Sequence, residues 1–195
     1  MAALRNLLAL IGLIAVIGAG ILVSRFHADI TAFAGLDPEA KSVYAAMWEK
    51  LRDSGNSADA SVWKYPLADG VTPEDAEQTM TSVASEHNIK AVGELPLSDQ
   101  VKLMTGKDQR FLKIYQFCNP LTAMKMVDYS DAFSAYLPCR IAMVEDTHGK
   151  YALYSLNMDL MIYGGRTLPP DLLEEALKVK QIILDIMKRG SSGEF

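Results

Sequence analysis

Leu7 to Val23 is a run of seventeen residues without a charge. No other feature constrains the chain as much, because so long an apolar stretch must be taken out of water along most of its length. At about 1.5 Å of helical rise per residue it approaches the thickness of a bilayer's hydrocarbon core, at the short end of the usual span. Arg5 precedes the run, and Arg25 and His27 follow it. A cleaved signal peptide is the rival explanation, since Ala32-Phe33-Ala34 offers an A-x-A site. The run is longer than a typical signal core, however, and that site lies well beyond it, across Arg25, His27 and Asp29, so length favours an uncleaved anchor. Gly12, Gly18 and Gly20 lie inside the run, and the Ala15, Ala19 and Val23 spacing would let a partner helix approach closely. Flanking charge does not decide the orientation. The expected topology is that of short N-terminal anchors generally: a single pass through the inner (cytoplasmic) membrane, with the following domain in the periplasm.

About 160 residues remain beyond the run, enough for one domain with one core. The formal net charge is −5 and there are no basic runs, which excludes the electrostatic footprint of a nucleic-acid binder. Hydrophobic residues make up 50% of the chain and charged residues 22%, fitting neither a disordered tail nor a polytopic transporter. The three histidines, His27, His87 and His148, are scattered, and no CxxC occurs. A histidine-rich metal site or a haem attachment is therefore not expected.

Asp37-Pro38 reads as a cap and first turn of a helix over 38–53, with Val43, Ala46, Met47 and Leu51 on one face and Gly55 closing it. Residues 54–60 read as a flexible loop. Val62 to Tyr65 is a strand, and Thr72-Pro73-Glu74-Asp75 is a capping-box helix start. Ile89 to Val92 is a short strand; Leu95 to Gln109 is ambiguous by pattern, with Leu97, Val101 and Leu103-Met104 spaced for a short helix. Phe111 to Cys118 is a strand ended by Asn119-Pro120, and Leu121 to Val127 a helical turn. Cys139–Glu145 and Lys150–Leu156 form a hairpin across Asp146-Thr147-His148-Gly149. Leu168-Pro169-Pro170 opens a long helix that Gly190 ends. The fold class expected is α+β: an antiparallel sheet packed by helices, preceded by one transmembrane helix. The domain limits are 1–28 for the anchor, 29–60 for a helical connector, 61–190 for the α+β domain and 191–195 for the tail.

In the order Asn119-Pro120, Leu137-Pro138-Cys139-Arg140, Glu145-Asp146 and Gly149-Lys150, the sequence resembles the DUF302 family, a domain of unknown function, from about Trp63 to Met187. It is most similar to a membrane-anchored bacterial branch carrying Phe117-Cys118, Pro138-Cys139-Arg140, Met158-Asp159, Gly164-Gly165 and a Gly193-Glu194-Phe195 end. The resemblance implies a compact α+β domain and no established reaction. It also implies a setting beside a respiratory or sulfur-metabolising membrane complex. Many family members have glycine where Cys118 stands, so the cysteine pair is not a requirement of the fold.

Cys118 and Cys139 lie at the ends of two strands and admit three readings. The first is a structural disulfide, which suits an oxidising compartment and is worth about 3 kcal/mol for a loop of about twenty residues. The second is a redox or metal-binding thiol pair, with Arg140 lowering the thiol pKa. The third is two unpaired core thiols. Met124-x-Met126 and Met158-x-x-Met161 have thioether-site spacing, so Cys118, Cys139, Met158 and Met161 are a candidate Cu(I) set. Methionine as plain core filler is the stronger reading. The binding candidates are Cys118, Cys139, Arg140 and Asp159. Arg140 is expected to bridge to Glu145, Asp146 or Asp159 or, less readily, to clamp an anion with the Gly164-Gly165 backbone. Glu145-Asp146 makes a poor acid–base pair because adjacent strand residues face opposite ways. No catalytic constellation stands out. The leading expectation is a membrane-tethered periplasmic domain binding a ligand or partner, with a membrane complex or a second copy as partner and no cofactor. The alternative is a thiol–thioether site handling copper or sulfur species.

Overall fold

The computed structural model describes residues 2–194. Helix α1, Ala2–Ala34, extends the apolar run at both ends. None of its residues is buried, and among the described residues it is the one helix long and apolar enough to cross a membrane. The chain then turns over Gly35 to Glu39 into α2, Ala40–Ser54. This start is later than the Asp37-Pro38 pattern predicts. Asp37 is itself buried, its carboxylate accepts the Glu39 amide at 2.9 Å, and its carbonyl accepts the Ala40 amide, so it holds the turn before the helix. Gly55 closes α2 in the left-handed conformation, as its position predicts. The supposed loop over 54–60 contains a short helix, α3, Ser57–Ala60, because the Asn56 side chain caps it.

The domain proper is one five-stranded antiparallel sheet with helices against it. Its strands are β1 (Val62–Pro66), β2 (Lys90–Pro96), β3 (Leu112–Cys118), β4 (Cys139–Glu145) and β5 (Tyr151–Leu156), in the order β1-β5-β4-β3-β2. The β4–β5 hairpin forms as its turn chemistry predicts. The Asp146 carboxylate accepts the amides of His148 and Lys150, and Gly149 takes a positive φ. Alternation along the strands sends Tyr115, Phe117, Ile141, Met143 and Leu153 to one face, where all are buried. That face is covered by α4 (Pro73–Glu86) and α8 (Pro170–Ser192), which also pack on each other. The capping box of α4 is complete: Thr72 accepts the Asp75 amide while Asp75 accepts the Thr72 amide. Helix α8 does not stop at Gly190 but runs to Ser192 and ends at Gly193. Glycine at 190 serves packing, because it is buried where α8 crosses α4.

Three further helices lie beyond the ends of the strands, the first named at the end of the sheet opposite the other two. They are α5 (Leu97–Thr105), α6 (Pro120–Tyr129) and α7 (Met158–Tyr163). A 3-10 turn, Asp131–Tyr136, which the sequence pattern did not announce, links α6 to β4. Helix α2 packs on α7, and the contact is pinned by backbone groups. The Asp37 amide donates to the Gly165 carbonyl at 2.8 Å, and the Tyr44 hydroxyl donates to the Gly164 carbonyl at 2.7 Å.

Candidate functional site

In an antiparallel sheet, the end of one strand lies beside the start of the next. Here the C-terminal end of β3, the start of β4 and the end of β5 meet at one edge of the core. The chain leaves β3 into α6 and β5 into α7. Between these two helices lies a cavity of about 50 Å³ lined mainly by apolar groups. Cys118, Cys139, Met158 and Met161 all line it, together with Met126 and Arg140. The four sulfur residues nominated from sequence therefore share one space. Of the Met124/Met126 pair only Met126 reaches it, and Met124 faces solvent. Met143 and Met187 are fully buried core residues.

The β3–β4 register places Cys139 opposite Phe117, with Cys118 one residue further along at the strand end. Both are free thiols. Burial pushes the Cys139 thiol up to about 11; the neighbouring Cys118 adds to the rise, and Arg140 offsets only part of it. Burial raises Cys118 as well. At neutral pH both groups are neutral S–H, so Arg140 does not generate the activated thiolate that its position suggested.

Arg140 itself corrects the sequence reading. Among the described residues it forms no ion pair, and its side chain is exposed at the cavity wall. Its supposed partners are engaged elsewhere. Asp159 bonds Lys180 of α8, Glu145 accepts the Phe111 amide at 3.0 Å, and Asp146 holds the hairpin turn. Asp159 is thus a brace between α7 and α8 and does not line the cavity. The Gly164-Gly165 pair lies at the far end of α7, where its carbonyls accept the Tyr44 hydroxyl and the Asp37 amide, and it does not line the cavity.

Sequence reasoning missed Asn119 and Asn157 as positioning residues. Each caps the helix that follows it. Asn119 accepts the amides of Leu121 and Thr122 at 3.1 and 3.3 Å, and Asn157 accepts the Asp159 amide at 2.9 Å. An Asn directly after a strand and before Pro was the legible signal for the first. Asn119→Ala is expected to cost about 1 kcal/mol in urea unfolding and to loosen the first turn of α6, which carries Thr122 and Ala123 into the cavity wall. Asn119→Ser, which keeps a cap, should recover most of that loss. Equal destabilisation by both substitutions would mean that the cap contributes nothing.

Three comparisons bear on kinship. A comparison with curated proteins gives no match. The crystal structure of an uncharacterized conserved DUF302 protein from Bacillus stearothermophilus is similar in fold, with a TM-score of 0.52 at 11% identity over 65% of this chain and 94% of that chain. The family model described as "Domain of unknown function DUF302" matches residues 64–189. That span takes in the whole sheet except the start of β1, together with the cavity and most of α8, and the chain belongs to the DUF302 family.

Proposed function

We propose that this protein is a membrane-tethered binding domain whose site is the cavity between α6 and α7. The carrying observation is convergence. Sulfur side chains from four elements, β3, β4, α6 and α7, and one cation unpaired among the described residues, Arg140, face a space walled mainly by apolar groups. Such a site selects a small, soft occupant of low net charge, with room for one negative group at the rim. Binding is favoured over catalysis because the cavity brings together no acid–base pair and its thiols are protonated. Helix α1 supplies the tether. In this reading the domain lies on the periplasmic side, the usual outcome for a short N-terminal anchor.

The test uses the full chain in detergent, unfolded thermally against a panel of small alkyl and aromatic carboxylates, thiols and soft metal ions. At least one class should raise Tm, and Ala123→Phe, which fills the cavity, should abolish the gain. A ligand in hundredfold excess over its Kd would add about 2.7 kcal/mol, well within reach of the measurement. A panel with no effect, or with the same effect on Ala123→Phe, refutes the reading. Protease added to spheroplasts should digest the domain, and full protection would reverse the orientation.

A further inference from the structure

We infer that the cavity is a Cu(I) site, with Cys118, Cys139, Met158 and Met161 as its donors. The inference rests on the reading of the cavity as a binding site and names the class of occupant. The four sulfurs come in two pairs. Ladder pairing sets Cys139, at the start of β4, opposite Phe117, and Cys118 is the next residue of β3 at that same end; both line the cavity. Met158 and Met161 are three residues apart on α7, so they share a helix face, with Cβ atoms about 5–6 Å apart. Both pairs face the same space, and Met126 stands in the wall as a spare thioether.

The scaffold behind these donors is braced. Asn157 caps α7, Asp159 bonds Lys180 on α8, and the Tyr44 hydroxyl holds the Gly164 carbonyl at the other end. A six-residue helix held at both ends and on its side keeps two thioethers in place without the metal.

Donor chemistry selects the ion. Among the described residues no cluster of three or more His, Cys, Asp or Glu side chains is placed to hold a metal. Hard or borderline divalent ions therefore find too few ligands, whereas thiol and thioether sulfur suit a soft monovalent ion. Charge points the same way. Cu(I) bound by one thiolate and thioethers is a neutral unit, which an apolar cavity accommodates at little cost. A second thiolate would leave one negative charge, and Arg140 at the cavity wall is placed to meet it. Binding is a ligand exchange without redox change. The S–H bond breaks, the Cu–S bond forms, the proton leaves to solvent, and copper stays Cu(I). Affinity must therefore fall as pH falls, by about tenfold per pH unit for each thiolate formed.

The experiment is an anaerobic titration of the reduced full chain in detergent with Cu(I), against a chromophoric Cu(I) chelator, together with X-ray absorption of the loaded protein. A single Cu(I) per chain with an all-sulfur shell is expected. Cys118→Ser should weaken it by about 100-fold, and the double variant Met158→Leu/Met161→Leu, which keeps size and apolarity, by at least about tenfold. The leucine pair also guards against misreading a folding defect, because it should leave Tm nearly unchanged. Absence of binding, affinity unchanged in Cys118→Ser/Cys139→Ser, affinity unchanged in the leucine pair, or nitrogen and oxygen neighbours at copper would each overturn the inference. If copper fails while another ligand raises Tm in wild type and not in Ala123→Phe, the copper inference falls alone. If nothing discriminates wild type from Ala123→Phe, the cavity reading falls with it.

Discussion

Gly190→Val is expected to destabilise the domain by about 3 kcal/mol or more, although it replaces a poor helix former in the interior of a helix. The reason is the crossing of α8 over α4. A Cβ at position 190 would lie 2.5 Å from Met80 Cγ, 3.4 Å from Leu153 Cδ1 and 3.6 Å from the Ala76 carbonyl oxygen. Met80 and Leu153 are both fully buried, so neither can swing into solvent. Overpacking a closed core costs about 1–3 kcal/mol for even a small insertion, and valine adds two further methyl groups on a stiff β-branch. Alanine separates the two opposing effects. Its helix propensity gains about 1 kcal/mol over glycine, whereas the clash with Met80 costs more, so a net loss of about 1 kcal/mol is expected. In a Met80→Ala background the clash is gone and Gly190→Ala should become stabilising. That change of sign, read by urea unfolding of the full chain in detergent, is the decisive result. If Gly190→Ala stabilises the wild type outright, the close approach of the two helices is not what fixes glycine here.

Gly190 also shows what the sequence conveys and what it hides. As a local signal, glycine after Lys188-Arg189 reads as a helix end, and only the helix packed across it reveals the other role. Features with local causes were legible: the capping box at Thr72, the hairpin held by Asp146, the closing glycine at 55 and the strand bounds of β4. Asn56 escaped notice because a four-residue helix has no periodicity to detect, although its cap was there to be read. The site was legible only in pieces. Cys118, Cys139, Met158 and Met161 could be nominated one by one for their chemistry. That they face one cavity depends on the end of β3, the start of β4 and the end of β5 meeting at the same edge, which no spacing encodes. The Arg140 error has the same origin. Asp159 is nineteen positions from Arg140, yet it is taken by Lys180 on a helix that comes later still. Which of two cations captures a carboxylate is settled by packing.

A second large effect is expected at Glu77, far from the cavity. This carboxylate on α4 accepts the Lys113 ammonium at 2.8 Å with one oxygen and the Tyr115 hydroxyl at 2.8 Å with the other. Among the described residues Lys113 has a further partner in Glu94 at 2.8 Å, whereas the Tyr115 hydroxyl has no other, and the Tyr115 side chain is buried. Glu77→Ala should therefore cost about 2–4 kcal/mol. A buried hydroxyl is left unpartnered at about 1–3 kcal/mol, and a half-enclosed ammonium loses one of its two counter-charges. Glu94→Gln is the control. Glu94 is about half exposed and among the described residues bonds Lys113 alone, so less than about 1 kcal/mol is expected. The same cluster sets an alkaline limit. Burial pulls the Lys113 ammonium down, but its hydrogen bonds to Glu77 and Glu94 lift it above the ordinary lysine value on balance. Burial and then the Glu77 hydrogen bond push the Tyr115 phenol well above its ordinary range. Both groups therefore hold their protons more tightly in the folded chain. In the unfolded chain both lose them from about pH 10, so the stability they contribute is complete below that pH and drains away as pH rises through the folded values. Wild-type unfolding free energy should fall above about pH 10, and Tyr115→Phe, which removes one of the two protons, should flatten the fall. Equal alkaline slopes in wild type, Tyr115→Phe and Glu77→Gln would show that the cluster is not linked to folding, and an equal cost for Glu77→Ala and Glu94→Gln would show that the buried hydroxyl does not need its acceptor.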